Sequence, residues 1–258
     1  MPLCHMSNRA VLRLSGPDVR PFLQGLLTQD VTVLTDAAPL YAGLLSPQGK
    51  ALFALFLFAD GEDVLLDLEA AQADALSRRL TMFRLRRQVT ILPEPALAVW
   101  QQWGEPCPHP VDPRHMRAGS RFLAPPGGGS VEVSEWHAHR LPLGLAEADE
   151  IGSDELLWLE TNGRELNGVS FTKGCYTGQE NTARMHHRDK LRKRLLSVRV
   201  PEGADGPVTS EGKPAAELRG VRHADMQMAL VRMEFADRPL EIAGRPVELL
   251  KPEWLTAD

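Results

Sequence analysis

Cysteine is scarce in this sequence. Only Cys4, Cys107 and Cys175 occur among its 258 residues, and no two of them form a C-x-x-C pair. An odd and sparse set of this kind argues against a disulfide framework and against a structural zinc site, so no bound metal is expected. The same scarcity predicts a reduced, cytoplasmic protein.

Long apolar runs and an excess of basic residues are also missing. The longest apolar stretch, ALFALFLFA at 51–59, has only the length of a strand, and the first residues lack the apolar core of a signal peptide. The net charge of −5 gives no overall reason to expect nucleic acid, whose phosphates require a basic face. We therefore expect neither a membrane nor nucleic acid among the partners.

What is present is an ordinary globular composition. Hydrophobic residues make up 43% of the chain and charged residues 24%. The length suits one large domain or two to three small ones.

The N-terminal part of the chain predicts a sheet covered by helices. Strand patterns occupy 10–16 and, as two or three strands, 41–69, and another strand follows at 88–92. Helical spacing of apolar residues in 16–31 and the composition of 70–86 predict one helix in each segment. This order is typical of an α+β layout with helices on one face of the sheet.

The remainder of the chain divides into two regions with different sequence patterns. Between 96 and 192 the pattern is irregular, with short strands predicted at 96–103 and 120–124 and a helical start at 154–161. From residue 195 onward, short strand-like runs alternate with Gly, Pro and Asp turns. That spacing predicts a small β-barrel or sandwich of about 60 residues.

One short stretch, KGCYTGQE at 173–180, stands out for its chemistry. Thr177 followed by Glu180 matches the S/T-x-x-E capping box, in which each side chain bonds a free backbone amide at a helix start. The residues that follow, 181–191, then predict a short helix.

Cys175 lies just before that predicted helix start. The positive end of the helix dipole and the charge of Lys173 both favour thiolate over thiol, which would make Cys175 a nucleophile. Gly174 and Gly178 on either side permit close backbone approach. The alternative is that Cys175 is a small buried side chain beside a helix start.

The segment GVSFTKGCYTGQENTAR, 168–184, resembles the signature of the YgfZ family of tetrahydrofolate-binding proteins, which are related to the glycine-cleavage T-protein (aminomethyltransferase). Every fixed position of the family pattern K-G-C-Y-x-G-Q-E is present. The segments 16–31, 44–50, 76–91 and 211–221 are similar to other parts of the same family.

The resemblance implies an α+β, T-protein-like fold. It consists of two α+β (ferredoxin-like) halves and a small C-terminal β-barrel around a central channel that holds folate. Applied to this chain, the two halves are 1–95 and 96–192, the second carrying the motif, and the barrel is 193–258.

The resemblance also implies a set of folate contacts. Glu160 in LWLETN matches the glutamate that pairs with the pterin ring, and a carboxylate can accept two parallel hydrogen bonds there. Asp67 matches a polar position of the same pocket. Tyr176, Gln179 and Glu180 would shape the turn or contact folate.

A basic run at 184–194 follows the motif. It would hold the polyglutamate tail of folate or an acidic partner, and Arg184 is the best candidate within it. A solvated helix face is the alternative interpretation of this run.

The function implied by the resemblance is support for the assembly or repair of iron–sulfur proteins, which depends on tetrahydrofolate and the motif cysteine. Cys175 would be the functional thiol, kept reactive by Lys173, and iron–sulfur client or assembly proteins would be partners. Ordinary aminomethyl transfer is disfavoured, because Phe53 and Ala54 stand where T-proteins carry an acidic pair.

Two other functions remain open. A folate-dependent aminomethyl or other one-carbon transferase with a non-standard acceptor is one. A Cys-His hydrolase is the other, and it would require His137, His139 or His186 within hydrogen-bond reach of Cys175.

Overall fold

The computed structural model describes residues 1–104, 108–187 and 191–255. Cys107, one of the three cysteines, lies outside the described residues, as does the segment 188–190 of the basic run.

The first sheet has five antiparallel strands in the order β3-β4-β5-β2-β6. A short strand that precedes them, β1 (Leu3–His5), belongs to the second sheet. The five strands are β2 (Arg9–Ser15), β3 (Leu40–Leu45), β4 (Ala51–Asp60), β5 (Asp63–Glu69) and β6 (Thr90–Pro93). The strands predicted in 10–16, 41–69 and 88–92 are thus confirmed.

Strand β4 shows why the longest apolar run of the sequence is a strand. Its side chains alternate between two cores: Leu55 and Leu57 pack on one face of the sheet, and Phe56 and Phe58 on the other. Because both faces are covered, the run is continuously apolar and does not alternate with polar residues. The helices α1 (Val19–Gln24) and α2 (Ala73–Arg84) cover the first of these faces.

The second sheet has three antiparallel strands in the order β1-β7-β8. Strands β7 (Ala98–Gln102) and β8 (Ser120–Ala124) confirm the two short strands predicted there. Strand β1 lies before residue 95 in the sequence but pairs with β7, which lies after it. The division of the body at residue 95 stays a prediction.

Among the described residues, three short α-helices follow the second sheet: α3 (Val133–Arg140), α4 (Ala148–Ile151) and α5 (Gln179–His186). The longest helix in the described ranges is α2, with 12 residues, and none of their helices has the length and apolar character needed to cross a membrane.

The C-terminal strands close into a six-stranded barrel in the order β10-β11-β12-β9-β14-β13, with its own apolar core. This confirms the predicted barrel. Its strands are β9 (Lys193–Arg199), β10 (Val208–Ser210), β11 (Lys213–His223), β12 (Met226–Arg232), β13 (Leu240–Ile242) and β14 (Arg245–Leu250).

The helical start predicted at 154–161 is wrong, because tertiary contacts govern this segment. Its backbone bonds to β4 and to the turn before it: Leu156 O accepts from Ala51 N at 2.8 Å, and Trp158 N donates to Gly49 O at 3.1 Å. Within the segment, single turn bonds such as Glu160 N to Leu157 O at 2.9 Å stand in place of a continuous helix. The Trp158 ring is fully buried, and its Nε1 donates to Gly168 O at 2.9 Å. The segment is therefore a chain of turns wrapped around one tryptophan.

Candidate functional site

The N-cap of helix α5 is a glycine, and the predicted capping box is wrong. Gly178 is the N-cap, with φ of 83°, and no side chain caps the helix. A Cβ at Gly178 would lie 2.5 Å from Ser46 O and 2.9 Å from Leu45 Cβ. Close packing and a left-handed backbone thus both require glycine here, which places Cys175 three residues before the N-cap.

The turn at 173–178 rests against the turn at 46–50. Asn181 Nδ2 donates to Gln48 O at 2.9 Å, and a Cβ at Gly49 would lie 3.1 Å from Asn181 Cβ. Gly49 itself has φ of 81°. Two segments that are far apart in the sequence therefore form one unit, and Asn181, which the sequence analysis did not single out, joins them.

Lys173 anchors the other side of the same turn. Its buried ammonium donates to three backbone oxygens, those of Gln24 at 2.8 Å, Leu27 at 2.6 Å and Gln29 at 2.8 Å. Burial lowers the pKa of Lys173 to about 8, while the nearby charge of Asp30 acts in the opposite direction. The three carbonyls give Lys173 a structural task, whereas its assistance to Cys175 stays a prediction.

Cys175 itself is exposed. In the described part of the chain its Sγ has no hydrogen-bond partner, and a Cβ added at the neighbouring Gly174 would meet nothing within 4 Å. Cys4 is the opposite case, since burial raises the pKa of its thiol to about 11. Of the two described cysteines, only Cys175 is open to a reaction partner.

A small cavity of about 150 Å³ lies beside the motif. The His186 ring stacks on Phe171 at a centroid distance of 3.6 Å, and Tyr176 and Gln179 complete much of the wall. Burial lowers the pKa of His186 and raises that of Tyr176. Sites for drug-sized ligands need at least about 300 Å³, so this cavity has room only for a small molecule or for one part of a larger one.

Asp67 does not fit the role of folate ligand. Its carboxylate is fully buried, with Oδ1 accepting from Arg9 Nε at 2.6 Å and Oδ2 from Arg121 Nε at 2.7 Å. Each of its oxygens is held by a buried arginine, so no ligand reaches this carboxylate without displacing one of them. The resemblance gave the residue type at this position, but it carried no information about the two arginines.

Asp67 is the centre of a group that we call the buried ion cluster. Arg9 also lies 3.3 Å from Glu147, and Arg114 pairs with Asp112 at 2.9 Å. Guanidiniums of this cluster lie over the Phe56 ring, Arg121 at 4.0 Å and Arg114 at 4.7 Å. The buried ion cluster comprises Arg9, Asp67, Asp112, Arg114, Arg121 and Glu147.

Glu160 keeps the capacity to bind a ligand. Its side chain is half-buried, and Oε2 accepts from Leu157 N at 3.1 Å. Its own carbonyl accepts from Leu195 N at 2.9 Å, which fixes the residue at the junction of the body with β9. Among the described residues no donor bonds Oε1, so this oxygen is available.

The other motif side chains point in different directions. Glu180 and Arg184 are exposed on α5, whereas Gln179 borders the cavity. The basic run is not a single solvated face, because Arg194 is buried and donates to Glu165 at 3.0 Å.

Two of the three histidines considered for a hydrolase, His137 and His139, are engaged elsewhere. His137 stacks on His223 at 3.8 Å and accepts from Arg140 Nε, and the Nε2 of His139 lies 2.8 Å from Arg117 O. Within the ranges that the structure describes, no histidine bonds Cys175, and no three His, Cys, Asp or Glu side chains are grouped as metal ligands.

Phe53 and Ala54, which replace the acidic pair of T-proteins, also have apolar surroundings. Phe53 and Ala54 are both buried in β4, each within one of the two apolar cores. No group at these two positions takes up a proton or stabilises a developing charge.

Comparison with known proteins adds independent findings. The model of the CAF17 C-terminal beta-barrel domain matches residues 192–257. The iron-sulfur cluster assembly factor IBA57, mitochondrial, of Mus musculus is 32% identical over an alignment that covers 96% of this chain and 84% of that protein. Its Homo sapiens counterpart is 33% identical with the same coverage.

A solved structure shares the fold. The crystal structure of glycine cleavage system aminomethyltransferase T from Bartonella henselae aligns with a TM-score of 0.74, covering 98% of this chain and 86% of that one. At 14% identity, this likeness concerns the fold alone, and it confirms the T-protein-like architecture expected from the sequence.

The expectation of a cytoplasmic protein is wrong by these comparisons, because the relatives are named mitochondrial. The scarcity of cysteine separates reducing from oxidising surroundings. It does not distinguish one reducing compartment from another.

Proposed function

Because this chain belongs to the IBA57 family of iron–sulfur cluster assembly factors, we propose that it assists the assembly or repair of iron–sulfur proteins through the thiol of Cys175. One observation carries the proposal. The turn around Cys175 is fixed by Lys173, Gly178 and Asn181, yet Cys175 itself is exposed and makes no internal hydrogen bond in the described part of the chain.

A fixed turn with a free thiol suits transfer chemistry. A thiolate is both a strong nucleophile and a soft ligand, so it reacts with carbon or sulfur electrophiles and binds iron. The first turn of α5 adds a positive dipole end three residues from Cys175. The partners would be iron–sulfur client or assembly proteins that approach this exposed turn.

We further propose tetrahydrofolate as the ligand, in keeping with the YgfZ-like signature. Glu160 fits this role through its available oxygen, and Asp67 does not. Tyr176 and Gln179 border a cavity of about 150 Å³ that has room for one part of the molecule, Glu180 would shape the turn or contact folate, and the exposed Arg184 would meet its negatively charged tail. When bound, tetrahydrofolate supplies a reduced pterin that carries one-carbon units.

The thiol is tested in cells that lack their own copy of this protein. Activities of cluster-containing enzymes are measured with the wild type, Cys175→Ser and, as a matched exposed control, Thr172→Ala. We expect Cys175→Ser to lose rescue and Thr172→Ala to keep it. Full rescue by Cys175→Ser would refute the proposed role of the thiol.

The ligand is tested separately by titration calorimetry with tetrahydrofolate. Glu160→Gln should weaken binding at least about tenfold, as expected when a charged hydrogen-bond acceptor is lost, whereas Glu202→Gln on an exposed barrel turn should bind like the wild type. No binding by the wild type would remove folate from the proposal and leave the thiol test unaffected. Folate-dependent one-carbon release by the wild type would instead favour the transferase alternative.

A further inference from the structure

Apolar side chains are exposed together at the C-terminal end of α2. Met82 is 75% exposed, Phe83 42% and Leu85 85%, although Leu76 and Leu80 on the inner face of the same helix are fully buried. Single exposed apolar residues are common on protein surfaces, but three within four positions form a patch.

Leu85 is exposed in a backbone conformation that is unfavourable for leucine. Its φ of 50° and ψ of −112° are those of the first central residue of a type II′ turn, and Arg87 N donates to Arg84 O at 2.9 Å to close that turn. Glycine normally occupies this position. Leu85 therefore combines backbone strain with an exposed apolar side chain, and the fold gains little from either.

The loop that carries Leu85 is held at several points. Arg84 Nη1 donates to Val89 O at 2.6 Å, and Gln88 N donates to Asp18 Oδ2 at 2.7 Å. A Cβ at Gly16 would lie 2.2 Å from Gln88 O, so the adjoining strand end packs closely on the loop. These contacts hold the loop backbone, and with it the position of Leu85, in one place.

The surroundings of this patch are strongly basic. No Asp or Glu occurs from residue 75 to residue 93, although the whole chain has a net charge of −5. The Arg79 guanidinium lies 5.4 Å from the centre of the Phe83 ring, and an open groove of about 610 Å³ lies along Arg84–Arg87 beside Asp18. We call this region the Leu85 surface. It comprises Arg79, Met82, Phe83, Arg84, Leu85, Arg86 and Arg87.

We propose that the Leu85 surface binds an acidic segment of a partner protein that carries apolar anchor residues. Carboxylates of the partner pair with Arg86 and Arg87, and its apolar side chains pack on Leu85 and Phe83. An acidic protein fits better than a polyanion, because the centre of the surface is apolar and the chain as a whole is negative. This inference is independent of Cys175.

A model peptide tests the proposal directly. A fluorescent peptide of about 18 residues, with Leu at every third or fourth position and Glu elsewhere, is titrated with the full chain and followed by anisotropy. Two control peptides replace every Glu by Gln or every Leu by Ser. We expect the acidic Leu peptide to bind at least about tenfold more tightly than either control, and added salt to weaken it.

The protein variants separate binding from folding. Leu85→Gly should weaken peptide binding about tenfold while raising the midpoint of urea unfolding, since glycine relieves the strained turn. Arg86→Gln with Arg87→Gln should weaken binding at least as much. The exposed barrel variants Val221→Ser, and Arg232→Gln with Arg245→Gln, should leave it unchanged.

Several results would overturn the proposal. They are equal binding of all three peptides, no loss in the Leu85→Gly variant, or a preference for anionic vesicles or duplex DNA that the same variants abolish. A wild-type dimer that Leu85→Gly dissociates would assign the surface to a second copy of this chain instead.

Discussion

The buried ion cluster and the Cys175 turn both concentrate polar groups, but they use them in opposite ways. In the cluster, Asp67 of β5 binds Arg9 of β2 and Arg121 of β8, so opposite charges from the two sheets meet inside the body. In the turn, Lys173 donates to three backbone carbonyl oxygens, and Cys175 faces solvent.

The difference separates the candidate site from a group of polar residues that serves the fold. The cluster carries most of the buried charge, yet each carboxylate oxygen of Asp67 is already bound. The turn carries one free thiol on a rigid support. Accessibility combined with local rigidity, rather than density of charge, distinguishes the candidate site from the structural one.

Breaking the cluster should have the largest effect on stability. Asp67→Ala leaves Arg9 and Arg121 buried without their shared partner, and we expect the free energy of unfolding to fall by about 3–5 kcal/mol. Urea denaturation measures this. Asp237→Ala breaks an exposed pair with Lys251 and should cost less than about 1 kcal/mol. Similar losses in the two variants would contradict the assigned role of the cluster.

Crowding the turn should have the next largest effect. Gly178→Ala adds a Cβ 2.5 Å from Ser46 O at a left-handed backbone position, and a loss of about 2–4 kcal/mol is expected. Gly174→Ala, where a Cβ meets nothing within 4 Å, is the matched control and should cost about 1 kcal/mol or less. If both glycines tolerate alanine equally well, the contact between the two turns is not as described.

The contribution of Lys173, which anchors the turn, to the free energy of unfolding should depend on pH. Because burial lowers the pKa of Lys173 to about 8 from an ordinary 10.5, the folded protein releases this proton while the unfolded chain still holds it. The contribution of Lys173 to stability is therefore smallest below pH 8 and rises between about 8 and 10.5.

The measurement compares unfolding free energies of the wild type and Lys173→Met across that range. Near neutral pH, Lys173→Met should cost about 1–3 kcal/mol, because three carbonyls lose their donor. The wild type should then gain on the variant as pH rises. A constant difference would show that the buried ammonium keeps its ordinary pKa.

The smallest stability effect is expected at the thiol itself. Cys175→Ser should change the free energy of unfolding by less than about 0.5 kcal/mol, whereas Cys4→Ser places a hydroxyl in a fully buried site and should cost about 1–3 kcal/mol. In a Cys107→Ser background, alkylation near neutral pH should modify Cys175 and spare Cys4. Faster alkylation of Cys4 would reverse the comparison.

Much of the fold could be predicted from the sequence because its signals are local. The strands of the first sheet and the barrel follow from apolar patterning and turn residues. The structure of the segment at 154–161 was not predicted correctly, because Trp158 bonds to Gly49 and Gly168 where a helix would bond to itself. Such partners are far away in sequence and leave no local signal.

The site was predictable in part for the same reason. Cys175 stands out in its own segment, and so does the need for glycine at 178. The N-cap was misplaced because the left-handed Gly178 is selected by Ser46 and Leu45, residues of another strand and turn. Asp67 was misassigned because its partners, Arg9 and Arg121, lie on different strands and leave no pattern around it.

Strand β1 has a consequence for how the polypeptide can be divided. It pairs Leu3 with Gln102 and Cys4 with Gln101, so the first residues of the chain supply an edge of the sheet that is otherwise built after residue 95. A cut between the halves would therefore yield two fragments that need one another, not two autonomous domains. During synthesis, β1 cannot pair with β7 until nearly a hundred further residues have been made.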